Sequence, residues 1–188
     1  MGTFSKGGQY GWSRKGSDNF RIKNILMGKP EIKNVDLSFD VYQNENDLDA
    51  NDQLLLNKAK EIAKNAHAPY SNFKVGAALL LDNGIIVTGN NQENAAYPSG
   101  TCAERTAVFY ASAHYPTNKV KAIAVITDNA KQLEPVTPCG SCRQALAEYE
   151  IKFREPIRVL MGSASGKVFV AKSVESLLPL MFNQDHLK

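Results

Sequence analysis

Four residues in two short stretches have the types and the spacing that a reactive metal centre requires. Cys102 and Glu104 lie in the first stretch, and Cys139 and Cys142 lie in the second. The chain contains only 3 cysteines, and all of them belong to these stretches. Cys139 and Cys142 are one helical turn apart, so both thiols can face the same ion. The pattern predicts a metal site with three cysteine ligands.

The number of ligands favours a catalytic zinc site over a structural one. Structural zinc sites use four protein ligands, whereas catalytic sites use three and leave one position for water. His67, His114 and His186 are the only histidines, none is near either stretch, and we expect all of them at the surface. Glu104 is close enough to Cys102 to exchange protons with such a water. Its structural alternative is a carboxylate that merely complements a helix dipole.

Two arginines are candidates for supporting the thiolates. Three thiolates on Zn²⁺ carry a formal charge of −1, which Arg105 is placed to offset by donating hydrogen bonds to sulfur. Arg143, next to Cys142, is a second candidate. An ordinary surface arginine is the alternative for each. A helix N-terminus beside the cysteines would also lower the pKa of their thiols.

Hydrophobic patterning indicates the elements that must position these residues. The predicted elements are a half-buried strand over 35–41, a helix from about Asp52 to Ala66, a hairpin of 73–81 and 85–89, helices opening at Cys102 and Cys139, buried strands at 120–127, 157–161 and 168–170, and a last helix from Ser173 to about Phe182. Both cysteine stretches open a helix that follows a strand or its loop. We therefore expect an α/β layered fold with the site at the sheet edge where these helices begin. Glu150 and Glu175 are expected to face outward.

Composition describes an ordinary globular chain. It has 188 residues, 43% of them hydrophobic and 22% charged, which suits one domain with a full core. No apolar run approaches the roughly 18 residues of a membrane span, and we expect neither a secretory signal nor a membrane partner. Cysteines used as metal ligands are typical of a reducing compartment, so we expect a cytoplasmic protein.

The basic charge is concentrated at the N-terminus. The whole chain has a net charge of +3. Residues 1–33 alone carry +5, so the remaining residues carry −2. We divide the chain into a flexible basic extension over 1–33 and a single catalytic domain over 34–188. A nucleic-acid arm, a membrane arm or a targeting peptide is the alternative for the extension. Because the remainder is slightly acidic, we do not expect nucleic acid as a partner.

Longer motifs around the cysteines resemble a known family. These motifs are Pro69-Tyr70-Ser71-x-Phe73-x-Val75-Gly76-Ala77-Ala78, Gly89-Asn90-Asn91-Gln92-Glu93-Asn94-Ala95, Tyr97-Pro98, Gly100-x-Cys102-Ala103-Glu104-Arg105-Thr106-Ala107, Pro138-Cys139-Gly140-x-Cys142-Arg143-Gln144 and Leu177-Leu178-Pro179. Through them, the chain from about Ala66 onward resembles the small, single-domain cytidine deaminases, within the zinc-dependent nucleoside and base deaminases.

The resemblance implies a fold, a reaction and a set of binding residues. The fold would be a three-layer α/β/α sandwich with a mixed sheet of about five strands. The reaction would be hydrolytic deamination of cytidine and 2′-deoxycytidine in pyrimidine salvage, with one zinc per subunit and Glu104 as the proton shuttle. By this resemblance, Asn91 and Glu93 would bind the ribose hydroxyl, and Phe73 would pack on the pyrimidine face. The Ala103 backbone would contact the base carbonyl. Ala95, Tyr97 and Phe182 would reach a neighbouring subunit's pocket. The implied assembly is a homotetramer with shared pockets.

Three other functions share part of the pattern. A deaminase of a modified nucleoside or drug would keep the zinc motifs but would lack the Asn-x-Glu ribose pair. A polynucleotide deaminase would need basic and aromatic grooves around its pocket. A zinc-binding module without activity would need a fourth protein ligand and no Glu104.

Overall fold

Six strands and three α-helices form within residues 30–35 and 37–188, which the computed structural model describes. Their bounds are β1 Asp40–Tyr42, α1 Ala50–Ala63, β2 Val75–Leu81, β3 Ile86–Asn90, α2 Ala103–His114, β4 Val120–Thr127, α3 Gly140–Phe153, β5 Arg158–Gly162 and β6 Val168–Ala171. Val35–Lys188 is one compact unit. The predicted extension over 1–33 falls almost wholly outside the described residues, so its flexibility stays a prediction.

All six strands belong to one sheet in the order β1-β6-β5-β4-β2-β3. β4 and β5 are parallel, and every other neighbouring pair is antiparallel. β3 and β4 both run antiparallel to β2, so β3, β4 and β5 point the same way. The helices that follow β3 and β4 therefore begin at the same edge of the sheet, the one formed by the C-terminal ends of these strands. The predicted placement of both cysteine stretches at one edge is confirmed.

Helices cover both faces of the sheet. On one face, α1 buries Leu55, Leu56 and Ala59 in a core that includes Ile126 and Leu160. On the other face, α2 and α3 supply a second core, which contains Ala107, Val108, Leu146 and Ala147 together with residues of β2, β4 and β5. The three-layer α/β/α class is confirmed. The sheet has one strand more than the expected five because β1 adds to the edge at β6.

The first turn of α2 lies unusually close to β3. A Cβ built on Gly89 would stand 2.6 Å from the amide nitrogen of Ala107 and 2.7 Å from the carbonyl oxygen of Ala103. Only a glycine permits this approach, because real Cβ atoms do not come so near backbone atoms. The strand thus fixes the position of the helix start that carries Cys102 and Glu104.

The structure corrects two predictions at the ends of the domain. The strand expected over 35–41 pairs only at Asp40–Tyr42, and Val35, Leu37, Phe39 and Val41 are exposed rather than half-buried. The helix expected from Ser173 to Phe182 is a single 3₁₀ turn, Glu175–Leu177. Pro179 lacks a backbone N–H and excludes helical geometry at Leu178, and Leu180 is left-handed with φ 58°.

Glu150 was expected to face outward and is instead buried, with 7% of its surface exposed. Its carboxylate accepts hydrogen bonds from the backbone amides of Ile157, Val174 and Glu175. A buried carboxylate is tolerated where such donors surround it. No helix among the described residues combines the length and the apolar character that a membrane crossing needs.

Candidate metal centre and substrate pocket

The three cysteines meet at the N-termini of α2 and α3. Cys102 is the N-cap of α2, Cys139 is the N-cap of α3, and Cys142 lies in the first turn of α3. Neither N-cap cysteine uses its side chain to cap its helix, so both sulfurs stay free for another partner. The three Sγ atoms lie within 4.8 Å of one another, and those of Cys139 and Cys142 are 3.5 Å apart.

This geometry fits a zinc ion. Zn–S bonds of about 2.3 Å in a tetrahedral site place two sulfurs roughly 3.8 Å apart, close to the spacing of these thiols. Within the part of the chain that the structure describes, no further His, Cys, Asp or Glu joins the cluster as a fourth ligand. His67, His114 and His186 are exposed, as expected. The donor set therefore fits a zinc site with one position left for a small molecule.

Glu104 is the buried carboxylate of this site, with 5% of its surface exposed. Burial raises its pKa above the usual value, its own backbone amide opposes that shift, and negative charge on Cys102 raises the pKa further. A raised pKa makes the carboxylate a better proton acceptor than an exposed one, and proton transfer by a positioned carboxyl group is what general acid–base catalysis requires.

Arg105 contacts the cysteine cluster through one hydrogen bond. Its Nη2 donates a hydrogen bond to Cys102 Sγ at 3.7 Å. The hydrogen bonds from the Cys142 thiol and Arg105 lower the pKa of Cys102, whereas the bond to Cys102 and burial raise the pKa of Cys142. Thiolate character is therefore most favoured at the cysteine that contacts the guanidinium.

Arg143 does not contact sulfur. Its Nε donates to the carbonyl oxygen of Pro138 at 2.8 Å, and its Nη1 donates to the carbonyl oxygen of Leu177 at 2.8 Å. Its side-chain hydrogen bonds therefore go to these two carbonyl oxygens and to neither of the cysteines beside it. The side chain instead forms hydrogen bonds both to the loop before Cys139 and to the segment after β6.

The loop after β3 carries the predicted ribose pair. Gln92 and Thr101 exchange two backbone hydrogen bonds of 2.9 Å, which brings this loop beside Cys102. The Asn91 side chain accepts from the Val75 amide at 2.8 Å and donates to the Phe73 carbonyl at 3.0 Å. Asn91 therefore holds the backbone around Phe73 in addition to any role toward a sugar.

Glu93 and Ser71 form a small network that the motifs alone did not reveal. The Glu93 carboxylate accepts from the Tyr70 amide at 2.9 Å, from the Ser71 amide at 3.3 Å and from the Ser71 hydroxyl. These bonds, the hydroxyl first, lower the pKa of Glu93, so the carboxylate is charged at neutral pH. Ser71 Oγ also accepts from the Phe73 amide at 3.0 Å. Ser71 belongs to one of the motifs on which the family resemblance rests, and that was the only sequence signal for a role of this residue.

A cavity of about 470 Å³ opens between this loop and α2. Its walls include Asn91, Glu93, Tyr97, Cys102 and Arg105. Its volume is in the range of small-molecule sites. The structure thus brings five of the predicted site residues around one space that borders a cysteine ligand.

The other predicted binding residues lie outside the walls of this cavity. Ala103 is fully buried in the first turn of α2, and Phe73 is half-buried at the start of β2. Ala95 is exposed and Phe182 is 56% exposed. Tyr97, which does line the cavity, is itself 77% exposed. The roles that the resemblance implied for them stay predictions.

Comparison with known proteins defines the class of this fold and site. Residues 49–154 match the family model described as the cytidine and deoxycytidylate deaminase zinc-binding region. A cytidine deaminase of Halalkalibacterium halodurans is 39% identical over 135 residues, which are 72% of this chain and 96% of the relative. A cytidine deaminase of Sporosarcina psychrophila is 39% identical over 133 residues, which are 71% of this chain and 92% of the relative.

Solved structures agree. The cytidine deaminase of Burkholderia pseudomallei is 40% identical with a TM-score of 0.61, covering 69% of this chain and 97% of that one. The cytidine deaminase of Mycobacterium tuberculosis is 31% identical with a TM-score of 0.57, covering 73% and 99%. Fold and site together define a zinc-binding deaminase. The chain belongs to the cytidine and deoxycytidylate deaminase family, which confirms the resemblance found in its motifs.

Proposed function

We propose that this protein is a zinc-dependent hydrolase that converts cytidine and 2′-deoxycytidine, with water, to uridine and 2′-deoxyuridine plus ammonia. The observation that carries the proposal is the convergence of three cysteine sulfurs with the buried carboxylate of Glu104 at two helix starts. The named relatives, all cytidine deaminases, support the same activity.

Cys102, Cys139 and Cys142 would hold one zinc ion per subunit. When bound, zinc supplies an acidified water molecule, whose pKa falls far below that of bulk water, toward about 7. Arg105 offsets the negative charge of the three thiolates through its hydrogen bond to Cys102. This bond keeps the ligand set from weakening the acidity of the water.

Glu104 moves the protons of the reaction. Its carboxylate accepts a proton from the water and delivers it to N3 of the cytosine ring, which makes C4 electrophilic. The water oxygen forms a bond to C4. Glu104 then accepts the proton of the new C4 hydroxyl and transfers it to the amino group, the C4–N4 bond breaks, and ammonia leaves while the C4 carbonyl of uracil forms. One carboxylate can serve as base and then as acid because burial raises its pKa.

Asn91 and Glu93 are the proposed ribose contacts. An amide and a charged carboxylate on one cavity wall offer both donors and acceptors to a sugar hydroxyl. A carboxylate at this wall gives no attraction to a 5′-phosphate, which supports a free nucleoside as the substrate. Phe73, which Asn91 and Ser71 hold in place, is the proposed aromatic contact to the pyrimidine, with the Ala103 backbone contacting the base carbonyl.

We further propose a homotetramer in which neighbouring subunits complete each pocket. Ala95, Tyr97 and Phe182 are exposed in the single chain, so they are available to a neighbour. The use of three thiols as ligands supports a cytoplasmic location, where cysteines stay reduced. Pyrimidine salvage is the proposed role, because deamination returns cytosine nucleosides to the uracil pool.

The test is the conversion of cytidine to uridine, followed by ultraviolet absorbance, with zinc content measured on the same samples. We expect turnover with one zinc per chain, and a loss of roughly 10²–10⁴ in kcat for Glu104→Gln with zinc retained. The amide keeps the shape of the carboxylate but cannot shuttle protons. Protein that binds zinc and leaves both nucleosides unchanged would refute the proposed substrate. Modified nucleosides and single-stranded DNA would then be tested in the same assay.

A further inference from the structure

The segment that follows β6 is attached to α3 by three side chains. We define the C-terminal segment as residues 174–183. Glu150, Arg143 and Gln144 of α3 bind its backbone at Val174 and Glu175, at the Leu177 carbonyl, and at the Phe182 carbonyl. Backbone contacts of this kind fix the path of a segment that has almost no regular structure of its own.

Arg143 also reaches the loop that carries a metal ligand. The carbonyl that its Nε binds belongs to Pro138, the buried residue immediately before Cys139. The planar guanidinium donates in two directions at once, so it sets the distance between the Pro138 carbonyl and the Leu177 carbonyl. Pro138 lies in a loop, and Leu177 is the last residue of a single 3₁₀ turn, so neither carbonyl is held inside an α-helix or a strand.

Cys139 is the ligand that most needs such support. Cys142 is fully buried in α3, whereas Cys139 is exposed and has extended backbone angles, φ −68° and ψ 167°. Its carbonyl accepts from the Arg143 amide at 2.9 Å, and the preceding carbonyl accepts from the Arg143 side chain. The first of these is the opening backbone bond of α3, which any residue at this position would make, so the bond to Pro138 is the support that the Arg143 side chain itself adds.

The start of the C-terminal segment, which Arg143 contacts at Leu177, is held in place by Glu150. The Glu150 carboxylate accepts from Ile157 at 2.6 Å, from Val174 at 2.8 Å and from Glu175 at 2.8 Å, in a buried setting. These bonds join the end of α3, the start of β5 and the start of the C-terminal segment. The Leu177 carbonyl is thereby presented to Arg143 from a fixed position.

We infer that Arg143 is a positioning residue of the metal centre, which braces the Cys139 loop against the C-terminal segment and so slows the loss of zinc. The inference rests on the zinc site proposed above and deepens it. Arg143 touches neither metal nor substrate. It acts through the Pro138 peptide and fixes where the Cys139 sulfur can lie.

The experiment measures how fast full-length, zinc-loaded protein transfers zinc to a chromophoric chelator, well below its unfolding midpoint. We expect Arg143→Gln to release zinc roughly 10–100-fold faster, as is typical when a support of a metal ligand is lost. Arg143→Lys keeps the charge and one hydrogen bond but cannot donate to both carbonyls as the planar guanidinium does. Its rate of zinc release should therefore lie between those of the unmodified protein and Arg143→Gln. If Arg143→Gln fails to fold, Arg143→Lys carries the test alone.

Two matched variants separate bracing from general destabilisation. Gln144→Ala removes a bond from the same helical turn to the same segment, at Phe182, without touching the Cys139 loop. Ser176→Ala removes a 2.7 Å hydrogen bond to Ser173 within the segment itself. We expect both variants to release zinc within about twofold of the unmodified rate.

Three results would overturn the inference. Zinc release that is unchanged in both Arg143 variants would exclude bracing, even if their unfolding midpoints fall. Equal acceleration in Ser176→Ala would assign the effect to stability alone. If the unmodified protein binds no zinc, the proposed metal site fails first and the inference fails with it, a result that the zinc content of the unmodified protein distinguishes from the other two.

Discussion

Gly89→Ala tests whether β3 fixes the position of the catalytic helix start. The added Cβ would lie 2.6 Å from the Ala107 nitrogen and 2.7 Å from the Ala103 oxygen, against an ordinary contact distance of at least 3.4 Å. The first turn of α2 must therefore move outward by about 0.8 Å. Both neighbours are backbone atoms, so no side chain can turn away to relieve the contact.

The expected cost has two parts. Overpacking of this kind destabilises by about 1–3 kcal/mol, and the loss of glycine's freedom in the unfolded chain returns about 0.4–1 kcal/mol. The net loss of unfolding free energy should be about 1–2 kcal/mol. Because Cys102 and Glu104 lie in the displaced turn, a shift near 1 Å should also reduce kcat roughly 10²-fold.

Gly162→Ala is the matched control on the other face of the sheet. Its Cβ would meet Ile126 Cδ1 at 2.8 Å and Leu56 Cδ1 at 2.9 Å, and both are ends of flexible side chains. Denaturant unfolding, zinc content and cytidine turnover are measured for both variants. Full kcat in Gly89→Ala, or an equal loss of kcat in both variants, would refute the argument that this contact positions the site.

Three further predictions address binding, metal and pH. Ser71→Ala should raise KM for cytidine several-fold with a smaller effect on kcat, because it removes one hydrogen bond to the Glu93 carboxylate and the one that the Phe73 amide donates; a change confined to kcat would contradict this. Removing zinc with a chelator should abolish turnover and lower the melting temperature, because an ion held by the native thiols stabilises the folded state. Added zinc should restore both. An unchanged melting temperature would contradict the expectation that zinc binding stabilises the fold. Hydrogen bonds from Lys121 and Lys119 lower the pKa of Glu155 from 4.5 to about 2. The unfolded chain therefore binds more protons between those pH values, stability should fall as pH falls through them, and Glu155→Gln should weaken this slope in acid unfolding experiments; an unchanged slope would contradict the assignment.

The sequence predicted the centre of the domain well because local and long-range signals agree there. The strand predicted over 120–127 matches β4, Val120–Thr127, where nearly every residue is apolar and buried on both faces. Cys102 and Cys139 were predicted to open helices and are the N-caps of α2 and α3. Cysteine spacing and the order of strands and helices were enough to place the metal ligands together.

The ends of the domain were predicted less well, for physical reasons. The apolar alternation from Val35 to Val41 is real, but β1 lies at the edge of the sheet and pairs over three residues only. At the C-terminus, apolar spacing favoured a helix, whereas Pro179 limits it to one 3₁₀ turn. Periodicity reports which side chains are apolar and does not report whether a neighbouring surface is available to cover them.

Supporting residues were the hardest to predict, because their partners are backbone atoms far away in sequence. Glu150 is charged and would be placed at the surface by any composition rule, yet it binds amides 7, 24 and 25 residues away. Arg143 donates to a carbonyl 34 residues away. A backbone amide or carbonyl carries no signature in the residue type, so motif matching cannot identify such a contact.

The three proposed metal ligands differ in how firmly the fold holds them. Cys142 is fully buried inside α3, and Cys102 is held at the start of α2, a turn that Gly89 keeps against β3. Cys139 is exposed and depends on hydrogen bonds to the backbone on either side of it. Two ligands are therefore set by the packed layers, and the third is set by hydrogen bonds that reach a segment outside those layers. Such a division places the weakest point of the metal centre at Cys139, where the packed core contributes least.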